Sequence, residues 1–403
     1  MAVIAVAVLW RALVHPAPGT AASDHLASGL VPVAIALALA LAYPRLRPLL
    51  RGWIAIACGL LALVGGVVAG VRPAVLSSAD FAGVLSILAG IAGAALVASG
   101  VAVLWTHRRR GGSRRRRWVR RGLIGLAALL GGVFVVMPVA LAIVGTNRVR
   151  VAPQDLDLGA PAQAVTLTTS DGLTLSGSYV PSRNRAAVLV WPGRRAAVAE
   201  RARMLVREGY GVLVADPRGD GDSEGTYNAW GWSNEADVDA ALAFIARRPD
   251  VDPRRIGGLG LSVGGEVLVQ TAAGDAALRA VVSEGAGTRS LAEQLDMPDL
   301  ARWRRPLSPW LVQTAAVAVL SDSSPPESLT DLIARIAPRA VFLIMGDEGN
   351  PDEVLNRVYH DAAGEPKELW EIPGAGHVGG LDAAPVEYRR RVVGFFDREL
   401  RPR

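Results

Sequence analysis

Cysteine and histidine are scarce in this chain of 403 residues, and each shortage excludes classes of site. Cys58 is the one cysteine, which excludes an intrachain disulfide, a cluster of cysteine ligands around a metal and a CxxC redox motif. Five histidines are present, and only His360 and His377 follow residue 150. An imidazole base acting in the second part of the chain must be one of these two.

Lysine is absent and acidic residues are almost absent from residues 1–150, which hold 16 arginines against two aspartates. Their net charge is about +14, whereas residues 151–403 carry about −8. The formal net charge of +6 for the whole chain is therefore the sum over two regions of opposite charge. A basic protein could bind nucleic acid, but these arginines lie between long apolar runs. We therefore expect membrane lipids, and no nucleic acid, among the partners.

Four apolar stretches in the first region have about the length that a membrane-spanning helix needs, roughly 20 residues. They cover residues 28–43, 53–71, 81–105 and 122–145. Residues 2–14 are apolar but short, and they fit either a partial fifth span or a signal peptide. The sequence thus predicts an all-α transmembrane region over residues 1–150, followed by a second domain at 151–403.

The arginines also predict the orientation of these spans, because cytoplasmic loops are enriched in Lys and Arg. Loops 44–51 and 106–121 hold three and nine arginines, whereas loops 15–29 and 72–80 hold none and one. Both arginine-rich loops should be cytoplasmic, which directs the last span outward. We expect an integral protein of a bacterial plasma membrane with an extracytoplasmic second domain.

From about residue 160 onward, short β-rich runs alternate with amphipathic stretches of 10–15 residues. This alternation predicts an α/β fold, a mostly parallel sheet with helices on both faces. A proline-rich stretch near 286–335 interrupts it and suggests a cap-like insertion over the carboxyl edge of the sheet, where such folds bind ligands. Apolar residues in that insertion fit either an acyl or lipid pocket or the core of the cap itself; they are Trp303, Leu307, Trp310 and Leu311.

The strongest chemical motif is Gly260-Leu261-Ser262-Val263-Gly264, which follows a strand-like run and opens a helix-like one. A GxSxG motif in that context exposes its serine on a strained turn and places the next N–H, that of Val263, at a helix start. Ser262 is therefore the predicted nucleophile. His377, on a loop after the last predicted strand, is the predicted base, and His360 falls in a charged helix.

Residues 163–400 resemble the α/β-hydrolase superfamily, nearest its peptidase- and dienelactone-hydrolase-like branch. The resemblance rests on Trp191-Pro192-Gly193, on Asp216–Gly225, on Gly260–Gly265 and on Pro373–His377, in the order of that family. It implies an α/β-hydrolase fold with Ser262 as nucleophile and His377 as general base. It also implies an oxyanion hole formed by the backbone N–H groups of Val263 and Arg194, and neither a cofactor nor a metal.

The acid of the triad is the one place where the sequence departs from the family pattern. The resemblance implies an aspartate three residues after Gly346, and Gly349 occupies that position. Our first choice is Glu348, with Glu353 and Asp347 as the alternative acids. Less favoured candidates are Asp352 and Glu284.

These observations predict a membrane-anchored serine hydrolase that cleaves a carboxylic ester, thioester or related acyl bond of a small or lipid-like substrate. A peptide substrate is less favoured, because no extended peptide-binding domain is evident. The alternative is a degenerate hydrolase-fold binding module attached to a small membrane transport or assembly protein. The glycine at position 349 supports that alternative, whereas Ser262 and His377 oppose it.

Overall fold

The computed structural model describes most of the second region of the chain and parts of the first. The described residues are 46–47, 49–60, 93, 96–105, 115, 119, 131–146, 156–193, 198–298, 307–321, 323–348 and 350–400. The predicted span 28–43, the predicted oxyanion donor Arg194, Trp303 and Gly349 lie outside these residues. The other three predicted spans are described only in part.

The chain divides into two compact units, residues 1–144 and 145–403. Residues 49–60 and 96–105 are helical, and a π-helix, Gly132–Val136, leads into helix α1, Met137–Thr146. Within the described ranges, none of the helices combines the length and the apolar character that crossing a membrane requires.

The second unit is built on an eight-stranded sheet with the spatial order β1-β2-β4-β3-β5-β6-β7-β8. In chain order the strands are β1 Gln163–Thr168, β2 Thr174–Val180, β3 Ala187–Trp191, β4 Gly211–Ala215, β5 Ile256–Leu261, β6 Leu278–Glu284, β7 Ala340–Glu348 and β8 Lys367–Gly376. β2 pairs antiparallel with both β1 and β4, and every other pair is parallel. The predicted mostly parallel sheet is thus confirmed.

Helices cover both faces of this sheet, as predicted. They are α2 Ala199–Arg207, α3 Glu235–Ala246, α4 Val263–Gly274, α5 Leu291–Asp296, α6 Leu307–Ser321, α7 Leu329–Ala334, α8 Leu355–Ala362, α9 Gly380–Ala383 and α10 Pro385–Glu399. The central strand β3 shows why the run Ala-Val-Leu-Val-Trp is apolar throughout. Leu189 packs into one core with Leu268 of α4, and Val190 packs into the other with Phe396 of α10. A strand that is buried on both faces has apolar residues at consecutive positions of its sequence.

The helices within the predicted cap-like insertion near 286–335 differ in how deeply they are buried. Helix α7 at its end belongs to the main core, because Leu329, Leu332 and Ile333 are buried in the same cluster as α4. Helix α6 is different: it carries no charged residue, and Val317 is its one buried residue.

Candidate active site

Ser262 lies on the sharp turn between β5 and α4. Its φ of 55° is in the left-handed region, which a residue with a Cβ rarely adopts. Its backbone N–H donates to the Glu284 carbonyl at the end of β6, with 2.7 Å between nitrogen and oxygen. Such strain concentrates at functional sites and needs surrounding structure to hold it. Here it places a serine hydroxyl at the carboxyl edge of the sheet.

The glycines of the motif are required by close approach of the backbone. A Cβ at position 260 would lie 2.4 Å from the Gly264 carbonyl oxygen, and one at position 264 would lie 2.6 Å from the Pro192 carbonyl oxygen. Both distances are too short for any side chain. The spacing of the motif thus follows from how tightly β5, α4 and the end of β3 meet.

His377 directly follows β8 and points its ring at the serine. Its Nε2 is 2.9 Å from Ser262 Oγ. That distance lies within the reach required for an imidazole to take a hydroxyl proton. His360, the other histidine of this unit, is a half-buried residue of α8, where its Nδ1 lies 3.5 Å from Asp361.

Glu353 supplies the carboxylate against the far side of the imidazole. Its Oε1 is 2.5 Å from His377 Nδ1, and the glutamate side chain is almost fully buried. The residue sits in a 3₁₀ turn, Pro351–Val354, whose capping box joins the Glu353 carboxylate to the Asn350 backbone N–H at 2.9 Å. The backbone N–H of Gly346 also donates to Oε2, at 3.2 Å. Serine, imidazole and carboxylate thus form one continuous hydrogen-bonded line.

Several known proteins are similar to this chain. A family model described as X-Pro dipeptidyl-peptidase (S15 family) matches residues 160–340, a range that includes Ser262 and ends before Glu353 and His377. The Pseudomonas aeruginosa protein PA2218 is 27% identical over 330 residues, covering 64% of this chain and 87% of that protein.

Two further matches concern the family and the fold of this chain. Rv2307c of Mycobacterium tuberculosis is 32% identical over 219 residues, which is 53% of this chain and 71% of that protein. The esterase Pf2001 of Pyrococcus furiosus has the same fold, with a TM-score of 0.51 at 23% identity, covering 64% of this chain and 98% of that one. The chain belongs to the α/β-hydrolase superfamily, in one family with Rv2307c. The family-model match and the fold identify a hydrolase without distinguishing an ester from a peptide substrate.

The carboxylate facing the imidazole of this hydrolase is not the first choice made from the sequence. Glu348 is the exposed last residue of β7, which continues three residues beyond the end of its apolar run at Met345. Asp347 accepts from the Gly374 backbone N–H, at 2.6 Å, and ties β7 to β8. Of the carboxylates named from the sequence, the structure thus brings the alternative acid Glu353 to His377 Nδ1, whereas the first choice, Glu348, is exposed. The capping pattern Asn350-x-x-Glu353, an N-cap residue followed by Glu at N3, was the available signal.

The two less favoured acids also lie away from the imidazole nitrogen. Asp352 accepts from the Thr288 backbone N–H, at 3.1 Å, and lines the neighbouring cavity. Glu284 is buried in an ion pair with Arg201. Among the residues with described positions, no group of three or more His, Cys, Asp or Glu side chains is arranged to hold a metal ion.

Val263 is the first residue of α4, so its N–H belongs to the helix turn that lacks intrahelical acceptors. An oxyanion formed at Ser262 would lie next to this end of the helix, where negative charge is stabilised.

A cavity of about 590 Å³ opens over Ser262 and His377. One part of its wall is apolar and aromatic, with Trp230, Trp232, Trp310 and Val317. The other part is charged: Arg289 and Glu266 are both buried, with 3.5 Å between Arg289 Nε and Glu266 Oε2. Burial lowers the pKa of the Arg289 guanidinium, which the charge of Glu266 partly opposes. The hydrolase cavity is thus amphiphilic.

Proposed function

We propose that this hydrolase is a membrane-anchored serine enzyme that cleaves a carboxylic ester or thioester through Ser262, His377 and Glu353. The single observation that carries the proposal is the hydrogen-bonded line of 2.9 Å and 2.5 Å that joins these three side chains. The His377 Nε2 faces the serine hydroxyl whose proton it would take, and the Glu353 carboxylate faces the other ring nitrogen, as acyl transfer by such a triad requires.

The geometry supports the following sequence of steps. Ser262 Oγ attacks the substrate carbonyl while His377 Nε2 takes its proton, and Glu353 holds the Nδ1–H and stabilises the charged ring. The Val263 N–H stabilises the oxyanion. His377 then returns the proton to the leaving group, an acyl-enzyme remains on Ser262, and water activated by the same histidine releases the acid.

The cavity favours an acyl chain with a lipid-like portion. Three tryptophans and Val317 offer an apolar surface beside the nucleophile. Helix α6 contributes Trp310 and Val317 to this wall, and it also exposes apolar side chains, those of Leu311, Val319 and Leu320. Apolar chains bind such walls through surface removed from water, about 25 cal/mol per Å². The peptidase description of the matching family model keeps peptide substrates as the competing class.

The membrane attachment rests on the four apolar stretches and on the arginine-rich loops of residues 1–150. The proposed location is the bacterial plasma membrane, with the hydrolase unit outside the cytoplasm. Anchoring there would keep the cavity close to acyl substrates of the bilayer.

The degenerate binding module is disfavoured by the contact between Glu353 and His377. The glycine at position 349 supported that alternative because a triad acid was missing from the family position. Glu353 supplies a carboxylate to the imidazole from four residues further along the chain.

Covalent labelling of the full-length, detergent-solubilised protein with a fluorophosphonate probe tests the proposal. Labelling should disappear in Ser262→Ala and fall at least a hundredfold in His377→Ala, because the serine loses its base. His360→Ala is the matched control and should label like wild type. A folded wild-type protein that does not label would contradict the proposal and favour the binding module. Acyl esters of increasing chain length, compared with an X-Pro anilide, then separate ester from peptide cleavage.

A further inference from the structure

A buried charged cluster lies next to the site, and none of the catalytic steps uses it. Its centre is Glu284, the last residue of β6, whose carboxylate receives four hydrogen bonds. Arg201 of α2 donates two of them, from Nη2 to Oε1 at 3.0 Å and from Nε to Oε2 at 3.1 Å. The Tyr388 hydroxyl of α10 donates to Oε2 at 2.7 Å, and the Gly380 N–H donates to Oε1 at 2.9 Å.

The same glutamate contacts both sides of the proposed catalytic pair. Its backbone carbonyl accepts from the Ser262 N–H, at 2.7 Å, and so holds the nucleophile turn. Its carboxylate holds the Gly380 N–H, three residues after His377. One residue of the rigid sheet thus fixes the turn that carries the serine and the loop that carries the histidine.

Arg201 adds a second bond to the histidine loop. Its Nη2 donates to the carbonyl oxygen of Val378, at 2.7 Å. Val378 directly follows His377 and has a φ of 51°, which is unfavourable for a β-branched residue. A conformation of that kind persists when its surroundings hold it. The guanidinium supplies such a restraint one residue away from the imidazole.

Tyr388 completes the cluster as a permanently protonated donor. Burial raises the pKa of its hydroxyl well above the usual value, and the negative charge of Glu284 adds to the effect. The hydroxyl also accepts from Arg201 Nε, at 3.1 Å, so all three side chains are mutually bonded. Replacing a buried ion pair by apolar residues often leaves stability unchanged or improves it. A contribution to the stability of the fold therefore does not by itself explain why the chain carries this cluster.

We propose that Arg201, Glu284 and Tyr388 are positioning residues that hold the His377 loop in register with Ser262. This inference rests on the proposed serine hydrolase function. None of the three side chains needs to touch the substrate, because they act through the Val378 carbonyl and the Gly380 amide.

The test compares two Tyr→Phe substitutions in the full-length protein. Tyr388→Phe removes only the hydroxyl that bonds Glu284. Tyr210→Phe is the matched control, because Tyr210 is also buried and donates to Asp397 near the other end of α10, at 2.6 Å. Three quantities are measured for each: fluorophosphonate inactivation resolved into kinact and KI, thermal unfolding, and hydrogen exchange of the peptide containing Gly380.

In Tyr388→Phe we expect kinact to fall about tenfold, as the loss of one hydrogen bond to a charged group would predict. KI should stay within about twofold, and the Gly380 amide should exchange faster. Tyr210→Phe should lower the unfolding midpoint by a similar amount and leave kinact and the Gly380 amide unchanged. Arg201→Lys keeps the charge but loses the parallel donors, and it should lower kinact further than Tyr388→Phe does.

The outcomes that overturn the inference are distinct from failure of the proposed function. If Tyr388→Phe lowers only the unfolding midpoint, as Tyr210→Phe does, the cluster is structural. If KI rises while kinact is unchanged, the cluster affects probe binding instead of the catalytic pair. If the folded wild type does not label, the hydrolase proposal fails, whereas hydrogen exchange at Gly380 still shows whether the cluster holds the loop.

Discussion

The buried carboxylate of Glu353 is shared between the imidazole and two backbone N–H groups. Oε1 faces His377 Nδ1 and the Asn350 N–H, and Oε2 faces the Gly346 N–H. Each backbone bond restricts the orientation of the carboxylate, which in turn fixes which ring nitrogen carries the proton. We therefore propose that Glu353 acts on the histidine and not on the substrate carbonyl.

Replacing Glu353 by glutamine should therefore lower kcat/KM for an acyl ester by about 10²- to 10⁴-fold, because an amide favours the wrong tautomer of the ring. Glu348→Gln is the matched control, since Glu348 lies exposed five residues earlier and should lose less than about twofold. The measurement is ester hydrolysis by both variants beside wild type. Equal losses in the two variants would remove Glu353 from the triad.

Some residues of the site could be predicted from the sequence and others could not. Ser262 and His377 could be chosen because a strand-turn-helix motif and a shortage of histidine left few alternatives. Glu353 could not be chosen in the same way, since four other carboxylates were candidates. The decision depended on how far β7 runs and on the turn that follows it, which are properties of the folded sheet.

At the scale of elements, β7 and β8 both continue beyond the ends expected from apolar patterning. The apolar run of β7 ends at Met345, yet the strand pairs with β8 through Glu348, opposite Gly376. Pairing between backbones does not require apolar side chains, so hydrophobic periodicity underestimates such ends. The central strands β3 and β4 are buried at every position, so in them the apolar run and the strand coincide.

Helix α4 offers a direct test of how tightly the nucleophile turn is packed. A Cβ at Gly264 would lie 2.6 Å from the carbonyl oxygens of both Trp191 and Pro192, which are backbone atoms at the end of β3. Gly264→Ala should therefore lower the free energy of unfolding by about 1–3 kcal/mol, as overpacking does, and should also reduce labelling of Ser262.

The matched control is Gly274→Ala at the other end of the same helix. A Cβ there would meet only Glu235 Oε1, at 3.7 Å. Alanine is the better helix former, so this variant should be neutral or more stable, by up to about 1 kcal/mol. Chemical denaturation of both variants measures the difference. A Gly264→Ala protein as stable as Gly274→Ala would show that the turn is less crowded than these distances imply.

At the scale of the whole molecule, the chain joins two regions of opposite charge. Residues 1–150 carry about +14 with almost no acid, and residues 151–403 carry about −8. Every residue of the proposed triad and every described residue lining the cavity lies after residue 150. For residues 1–150 we propose a role in placing the enzyme at a membrane, because arginine-rich loops between apolar stretches are typical of proteins oriented in a bilayer.

That orientation makes a prediction about accessibility in intact cells. In a Cys58→Ala background, Ser170→Cys places a thiol on the exposed turn between β1 and β2. A membrane-impermeant maleimide should label it before lysis, because the hydrolase unit is proposed to lie outside the cytoplasm. Ser113→Cys, in the arginine-rich loop 106–121, is the matched control and should label only after lysis. The reverse pattern would place the active site in the cytoplasm and require the substrate to be an acyl compound of the inner leaflet or the cytosol.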